Sequence, residues 1–333
     1  MMLAGAAAVQ SGAKTGMGGT PTAFSLQMQA ARKANQPFDL ADACRRFGLG
    51  GVQTRVPTEP EGVKALRAKL EKWEMYLVGD ARPPRDASEV PAFERAVEAA
   101  KAAGASVLHA ALTGRRYEVF DTLEAFKKHF EQCQQAVRLA EPVLRKHRVK
   151  LAVENHKDWR FAEHIAWLKR QASEWVGVCV DVGNNLSLCD DPMEMVEAYA
   201  PYTCDCHLKD MAVDEYPEGF LLAEVNMGEG IIDLRKVVDI LRRANPSLKF
   251  GLEMITRDPL KVPVLTQKYW ATFDDSYSPL PGRDLARILA LVRAKRPKQP
   301  LPILSQLSLA EQVRAEEDNI RKCAAYARER LEL

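Results

Sequence analysis

Between Lys150 and Asp210 the chain reads KLAVENH (150–156), VGVCVDVGNN (176–185) and TCDCHLKD (203–210). Each segment opens as a short apolar run and closes on a side chain that can bind a metal: Glu154, Asp181 and His207. Short apolar runs bounded by polar residues are the pattern of parallel strands buried on both faces. Glu154 and Asp181 are 27 positions apart, and Asp181 and His207 are 26 apart. Each gap is the length of one strand–helix unit. A fourth run, KFGLEM (249–254), carries Glu253, 46 positions past His207, which is one unit plus an insertion.

Working outward, helical periodicity fills the gaps at Ala162–Ser173, Met193–Ala200 and Leu234–Ala244. Upstream, Ala23–Met28 (AFSLQM), Gly51–Val56, Met75–Val78 and Ala105–Leu112 read as strands. Helices are expected at Asp39–Phe47, Val90–Ala103 and Leu123–His147, the last with a kink at Pro142. About eight β-then-α units predict an α/β fold, a closed (β/α)8 TIM barrel. A doubly wound sheet is the rival, but no GxGxxG follows an early strand.

Residues 1–22 are small and Gly-rich and are expected to be a tail; 23–333 form one barrel domain. Met211–Asn226 reads as an irregular insertion. Residues 257–300 read as a loop extension, with Tyr269, Trp270, Phe273 and Tyr277 placed over the site as a cover or as packing. Leu309–Leu331 reads as an amphipathic helix packed on the barrel or on a second copy of the chain.

Composition narrows the function. Of 333 residues, 47 are Lys or Arg and 45 are Asp or Glu, a formal charge of +2. So even a balance offers no footprint for nucleic acid or an anionic membrane, and no run approaches the ~20 apolar residues of a membrane span. The expected partner is a small molecule, with a homo-oligomer allowed. Seven scattered cysteines without a CxxC pair read as reduced thiols, and the expected location is the cytoplasm, with a truncated export signal as the alternative.

Four strand-end ligands on neighbouring strands would converge on one cation. Three carboxylates and an imidazole suit one divalent metal, Mn²⁺ first, then Mg²⁺, Co²⁺ or Zn²⁺. His156, Asn184, Lys209 and Arg257 lie beside these positions and are the expected substrate contacts.

These motifs, with MGEGIIDL (227–234) and FGLEMITRDP (250–259), resemble the xylose isomerase-like barrel superfamily, also called sugar phosphate isomerase/epimerase or AP endonuclease family 2. The likeness runs from Phe38 to Arg257. It implies a metal held by Glu154, Asp181, His207 and Glu253, with Glu154 and Glu253 as the acid/base pair acting on a keto-sugar through an enediolate at the metal. The family's epimerases commonly carry a His three residues past the aspartate, where this chain has Asn184. Its DNA-repair branch needs more histidines than the six present, of which His129, His147 and His164 fall on predicted helices. The resemblance therefore implies a sugar isomerase or epimerase. A lyase or dehydratase on a 3-keto-sugar and a non-catalytic sugar-binding subunit are the alternatives.

Overall fold

The structure is a computed structural model that describes residues 14–333. Eight parallel strands close a barrel: β1 (Thr15–Gly19), β2 (Leu49–Thr54), β3 (Tyr76–Asp80), β4 (Val107–Ala110), β5 (Lys150–Glu154), β6 (Val176–Asp181), β7 (Thr203–Leu208) and β10 (Phe250–Leu252). Sequence neighbours pair in order, and β10 closes on β1 through Gly251 opposite Gly18. Strands β5, β6 and β7 fall where the sequence places them. The helices at Leu123–His147, which contains Pro142, and Leu234–Ala244 do likewise.

Two expectations about the start of the barrel are corrected. AFSLQM is not a strand: Pro21–Phe24 is a 3-10 turn that runs into the helix Ser25–Lys33. Pro21 sits where its fixed φ suits the start of a helical turn, and QMQAARK continues with good helix formers. The first strand is instead TGMGG, inside the expected tail; the rest of that tail, residues 1–13, lies outside the described residues. Its glycines have a steric cause. A Cβ on Gly18 would lie 2.5 Å from Tyr76 Oη, and one on Gly51 of β2 would lie 2.3 Å from Tyr76 Cζ. The Tyr76 ring fills that space, and its hydroxyl donates to the Phe250 carbonyl at 2.8 Å.

The insertion after β7 is regular. β8 (Asp210–Tyr216) and β9 (Gly219–Val225) form an antiparallel hairpin, extended by β11 (Leu260–Val262). Met211, Val213, Phe220 and Leu222 are buried, as are Ala212 and Ala223, so the burial does not alternate cleanly and the segment lacks a clear strand signature. Residues 257–300 also hold helices at Gln267–Trp270 and Gly282–Ala294. Tyr269, Trp270 and Phe273 pack inward, while Tyr277 is exposed. Tyr269 stacks on Phe273, Trp270 Nε1 donates to the Val264 carbonyl, and buried Arg116 lies over Phe273 while bonding Thr272 and Ser278.

The helix Leu309–Arg330 packs on the barrel itself. Buried Glu316 accepts from the backbone N–H groups of Leu26 and Gln27 at 2.7 and 3.0 Å, which caps the helix that follows β1. Among the described residues no helix is long and apolar enough to cross a membrane, and all seven cysteines are unpaired and buried.

Two outcomes follow from this packing. Gly51→Ala should destabilise the chain by roughly 1–3 kcal/mol through overpacking. In a double-mutant cycle with Tyr76→Leu, urea unfolding should recover most of that loss; additive losses would refute the steric account. The second concerns His164, enclosed by Trp159, Trp167 and Tyr199. Burial drives its pKa down to about 3, so it stays neutral while the unfolded chain's histidine titrates near ~6.5. Its stabilising share is complete above pH ~6.5 and falls as acid is added, by up to ~1.4 kcal/mol per pH unit. Unfolding of His164→Leu should show a shallower acid slope between pH ~6.5 and ~4.5; an unchanged slope would contradict the assignment.

Candidate metal centre

Strand register brings the four sequence-derived ligands together. Glu154 pairs across from Cys179, two positions before Asp181, and Asp181 pairs directly across from His207, so β5 meets β6 with a stagger while β6 and β7 present their ligands side by side. Glu253 follows β10, and its backbone N–H donates to the Leu208 carbonyl at 3.0 Å. Glu154, Asp181, His207 and Glu253 are all buried and each offers a donor atom within 4.8 Å of the others. His207 Nδ1 lies 3.4 Å from Glu253 Oε2 and 3.9 Å from Glu154 Oε2.

The surrounding bonds orient each donor. Gln53 Nε2 donates to Asp80 Oδ1, which turns its carbonyl toward His207 Nε2 at 2.7 Å. His207 therefore carries a proton on Nε2, and Nδ1 is buried without a hydrogen-bond partner. Asp181 Oδ1 accepts from the N–H groups of Gly183 and Asn184, while Oδ2 has no hydrogen bond although Lys209 Nζ stands 2.6 Å away. Glu154 Oε1 accepts from Asn184 Nδ2 at 2.9 Å, and Glu154 Oε2 faces His109 Nε2 at 2.8 Å. Glu253 accepts from Thr22 Oγ1 at 3.1 Å and from Lys209 at 3.0 Å.

Electrostatics divides the carboxylates. Burial and the neighbouring Glu253 push Glu154 upward, but His156, His109 and His207 outweigh them and hold it at about 2. Burial likewise opposes ionisation of Glu253, yet Lys209 and His207 keep it well below the usual range. Asp181 goes the other way, up to about 8, because burial and the two glutamates exceed the pull of Lys209. His207 is lowered by burial and raised more by Glu253 and Glu154, to about 9. Three acids at one buried point thus repel, which a cation relieves. A buried imidazole nitrogen without a partner, beside three carboxylates, fits a divalent metal.

The expected substrate contacts divide. Asn184 and Lys209 belong to the cluster: Lys209 Nζ donates to Asn184 Oδ1 at 2.9 Å, as does Lys157 Nζ. His156 is half-buried, with Nδ1 2.6 Å from the Thr113 carbonyl. Arg257 forks onto Glu224 of β9 at 2.5 and 3.2 Å, so it ties the loop after β10 to the hairpin. Asp210 does not pair with Lys209. It accepts from the backbone N–H groups of Gly228, Gly230 and Ile232, which explains the MGEG turn.

Sequence reasoning missed Asp80, His109, Gln53 and Lys157. Asp80 carried the available signal, because YLVGD (76–80) closes on an acid as VGVCVD does. Asp80 Oδ1 holds His109 Nδ1 at 2.9 Å, so β3 and β4 extend the polar rim to Glu154. Lys157 could not be found from pattern. It is fully enclosed after a φ of +64°, and burial together with Lys209 lowers it to about 8.

A closed parallel barrel with a buried carboxylate–imidazole cluster at its strand C-termini defines the class. Residues 41–271, more than half of the chain, match the family model of the xylose isomerase-like TIM barrel, and the chain belongs to that family. Solved structures share the fold at low identity. A xylose isomerase-like TIM barrel protein from Mycobacterium smegmatis in complex with magnesium is 16% identical, with TM-score 0.51, 77% of this chain covered and 88% of that one. A sugar phosphate isomerase/epimerase from Parabacteroides distasonis is 12% identical, with TM-score 0.54 and 96% of both chains covered. A D-psicose 3-epimerase in the presence of D-fructose is 12% identical, with TM-score 0.55, 87% of this chain covered and 92% of that one. No functionally curated protein matches the chain.

A metal at this centre would bind only the folded state. Mn²⁺ at 100-fold its Kd should stabilise the metal-stripped protein by ~2.7 kcal/mol, a rise of several degrees in Tm. Asp181→Asn and His207→Gln should lose that rise. A wild-type Tm indifferent to Mn²⁺, Mg²⁺, Co²⁺ and Zn²⁺ would count against the centre.

Proposed function

We propose that this chain is a divalent-metal-dependent isomerase or epimerase acting on a keto-sugar or a related polyol. The observation that carries the reading is the meeting of Glu154, Asp181, His207 and Glu253 donors within 4.8 Å in a buried site. Family membership and the named activities of the structural relatives support the substrate class. Those four residues would hold the metal, and the oxygen-rich donor set favours Mn²⁺, with Mg²⁺ also compatible. When bound, the cation supplies Lewis-acid polarisation of a carbonyl.

The chain's own residues handle the proton. Glu154 and Glu253 both stay ionised, as a carboxylate must to accept a proton from the carbon beside the carbonyl. One takes that proton and, now protonated, returns it at the adjacent carbon; return at the opposite face needs the other glutamate to have taken up a proton from water first. Asn184 and His109 fix the two oxygens of Glu154, while Thr22 and Lys209 fix those of Glu253. Such fixed bases avoid reorganisation during transfer. Lys209 and Lys157, converging on Asn184 Oδ1, place buried positive charge where an oxyanion would develop. His156, two residues past Glu154 and bonded to the Thr113 carbonyl, would help to position the substrate, while Arg257 acts through Glu224.

The test is solvent deuterium incorporation into ketoses by the Mn²⁺-loaded protein. Glu253→Gln and Glu154→Gln should each slow exchange by about 10²–10⁴-fold. Full exchange after chelation or in either variant would refute the mechanism, and an unsaturated product in place of an epimer would transfer the assignment to a lyase.

A further inference from the structure

The mouth of the barrel over β2, β3 and β4 has a charge pattern that the acid/base chemistry does not use. Two adjoining cavities of about 590 and 400 Å³ share Arg55, Asp80, Ala81 and Arg82. The second reaches His109, whose Nε2 is 2.8 Å from Glu154 Oε2. One continuous wall therefore runs from the hydrogen-bonded edge of the metal centre to a pair of arginines. Arg55 directly follows β2 and Arg82 lies two residues past β3, where strand direction delivers side chains to the site face.

These two arginines differ from the others at the rim. Arg85 is bound to Glu89 at 2.9 Å, and Arg115 to Glu118 at 2.8 Å. Arg55 and Arg82 are exposed, and neither guanidinium forms an ion pair among the described residues. The wall carboxylates are already engaged: Asp80 accepts from Gln53 and holds His109, and Glu89 is bound to Arg85. Two forked cations without ion-pair partners, lining one cavity, offer the charged donors that an oxyanion takes. A cavity of about 400 Å³ accommodates a sugar-sized molecule.

We infer that Arg55 and Arg82 bind a terminal anionic group, a phosphate or a carboxylate, at the end of the substrate remote from its reacting carbonyl. The inference rests on the isomerase reading for the other end of the substrate. It narrows the substrate from ketoses in general to ketoses bearing an oxyanion on the last carbon. Binding at exposed arginines weakens with salt, so affinity falls as ionic strength rises.

Two measurements test this. In the first, inorganic phosphate is titrated into the folded protein by calorimetry, with no turnover required. Wild type should bind phosphate, Arg55→Ala/Arg82→Ala should lose that binding, and Arg55→Lys/Arg82→Lys should keep part of it. Absent binding to wild type, or equal binding to wild type and the alanine pair, overturns the assignment. In the second, deuterium exchange is compared for D-fructose, D-fructose 6-phosphate and D-fructuronate with Mn²⁺ present. At least one anionic ketose should exceed the neutral one in kcat/KM, and the preferred anion identifies the source. Each single Arg→Ala should raise KM for that anion by about 10- to 100-fold, more than it lowers kcat, as expected for losing a charge-assisted hydrogen bond. Neutral fructose exchanged as well as both anions would also overturn the assignment. If no ketose exchanges while phosphate binding still requires both arginines, the isomerase reading fails and the anion site stands.

Discussion

Repulsion among three buried carboxylates is the constraint around which the rim is organised. Glu154, Asp181 and Glu253 converge with almost no solvent to screen them. Isolated charges at such depth are costly, so every nearby element supplies compensation. β7 contributes His207 and the residue after it Lys209; β4 contributes His109; the loop after β5 contributes Lys157. Asn184 links them, donating to Glu154 while accepting from two lysines. The result is a pre-oriented polar shell in which each donor's direction is set before any ligand arrives.

The same logic distinguishes structure from chemistry among the remaining charges. Arg116 and Arg160 are deep in the molecule yet hold residues 257–300 and the neighbouring loops in place. Arg116 joins Glu163, Thr272 and Ser278, and Arg160 joins Asp190 and Asp284. Arg257 belongs with them through Glu224. Burial alone would rank these arginines with Lys209. Only their partners, which lie away from the metal centre, separate them.

How much of this was readable from sequence depended on whether the signal lay in one strand or between strands. β5, β6 and β7 each present an apolar run that closes on a ligand, so their bounds and the cluster followed from spacing. β1 gives no such sign, because its glycines admit other groups: Gly18 makes room for Tyr76, Gly16 for Leu333 and Gly19 for Cys44 and Phe24. AFSLQM misled for the opposite reason: its local apolar pattern suits a strand, while the flanking Pro21 and the following QAARK settle it as helix. Asn184 and Lys209 were found by proximity in sequence to the ligands. Of the residues missed, Asp80 ends its strand on an acid, whereas His109 and Gln53 carry no such sign; β4 brings His109 to Glu154 by pairing with β5, and Gln53 reaches His207 from β2. Arg257 lies close to Glu253 in sequence, but its pairing with Glu224 depends on the hairpin, whose sequence reads as irregular.

The bonds from Glu316 to Leu26 and Gln27 join residues 290 and 289 positions apart. During synthesis, the helix after β1 must wait for some 290 further residues before its amino-terminal amides find their acceptor. A nascent chain therefore carries an unsealed seam beside its first strand, with open strand edges that invite mispairing. Only when the late helix emerges from the ribosome can the seam shut.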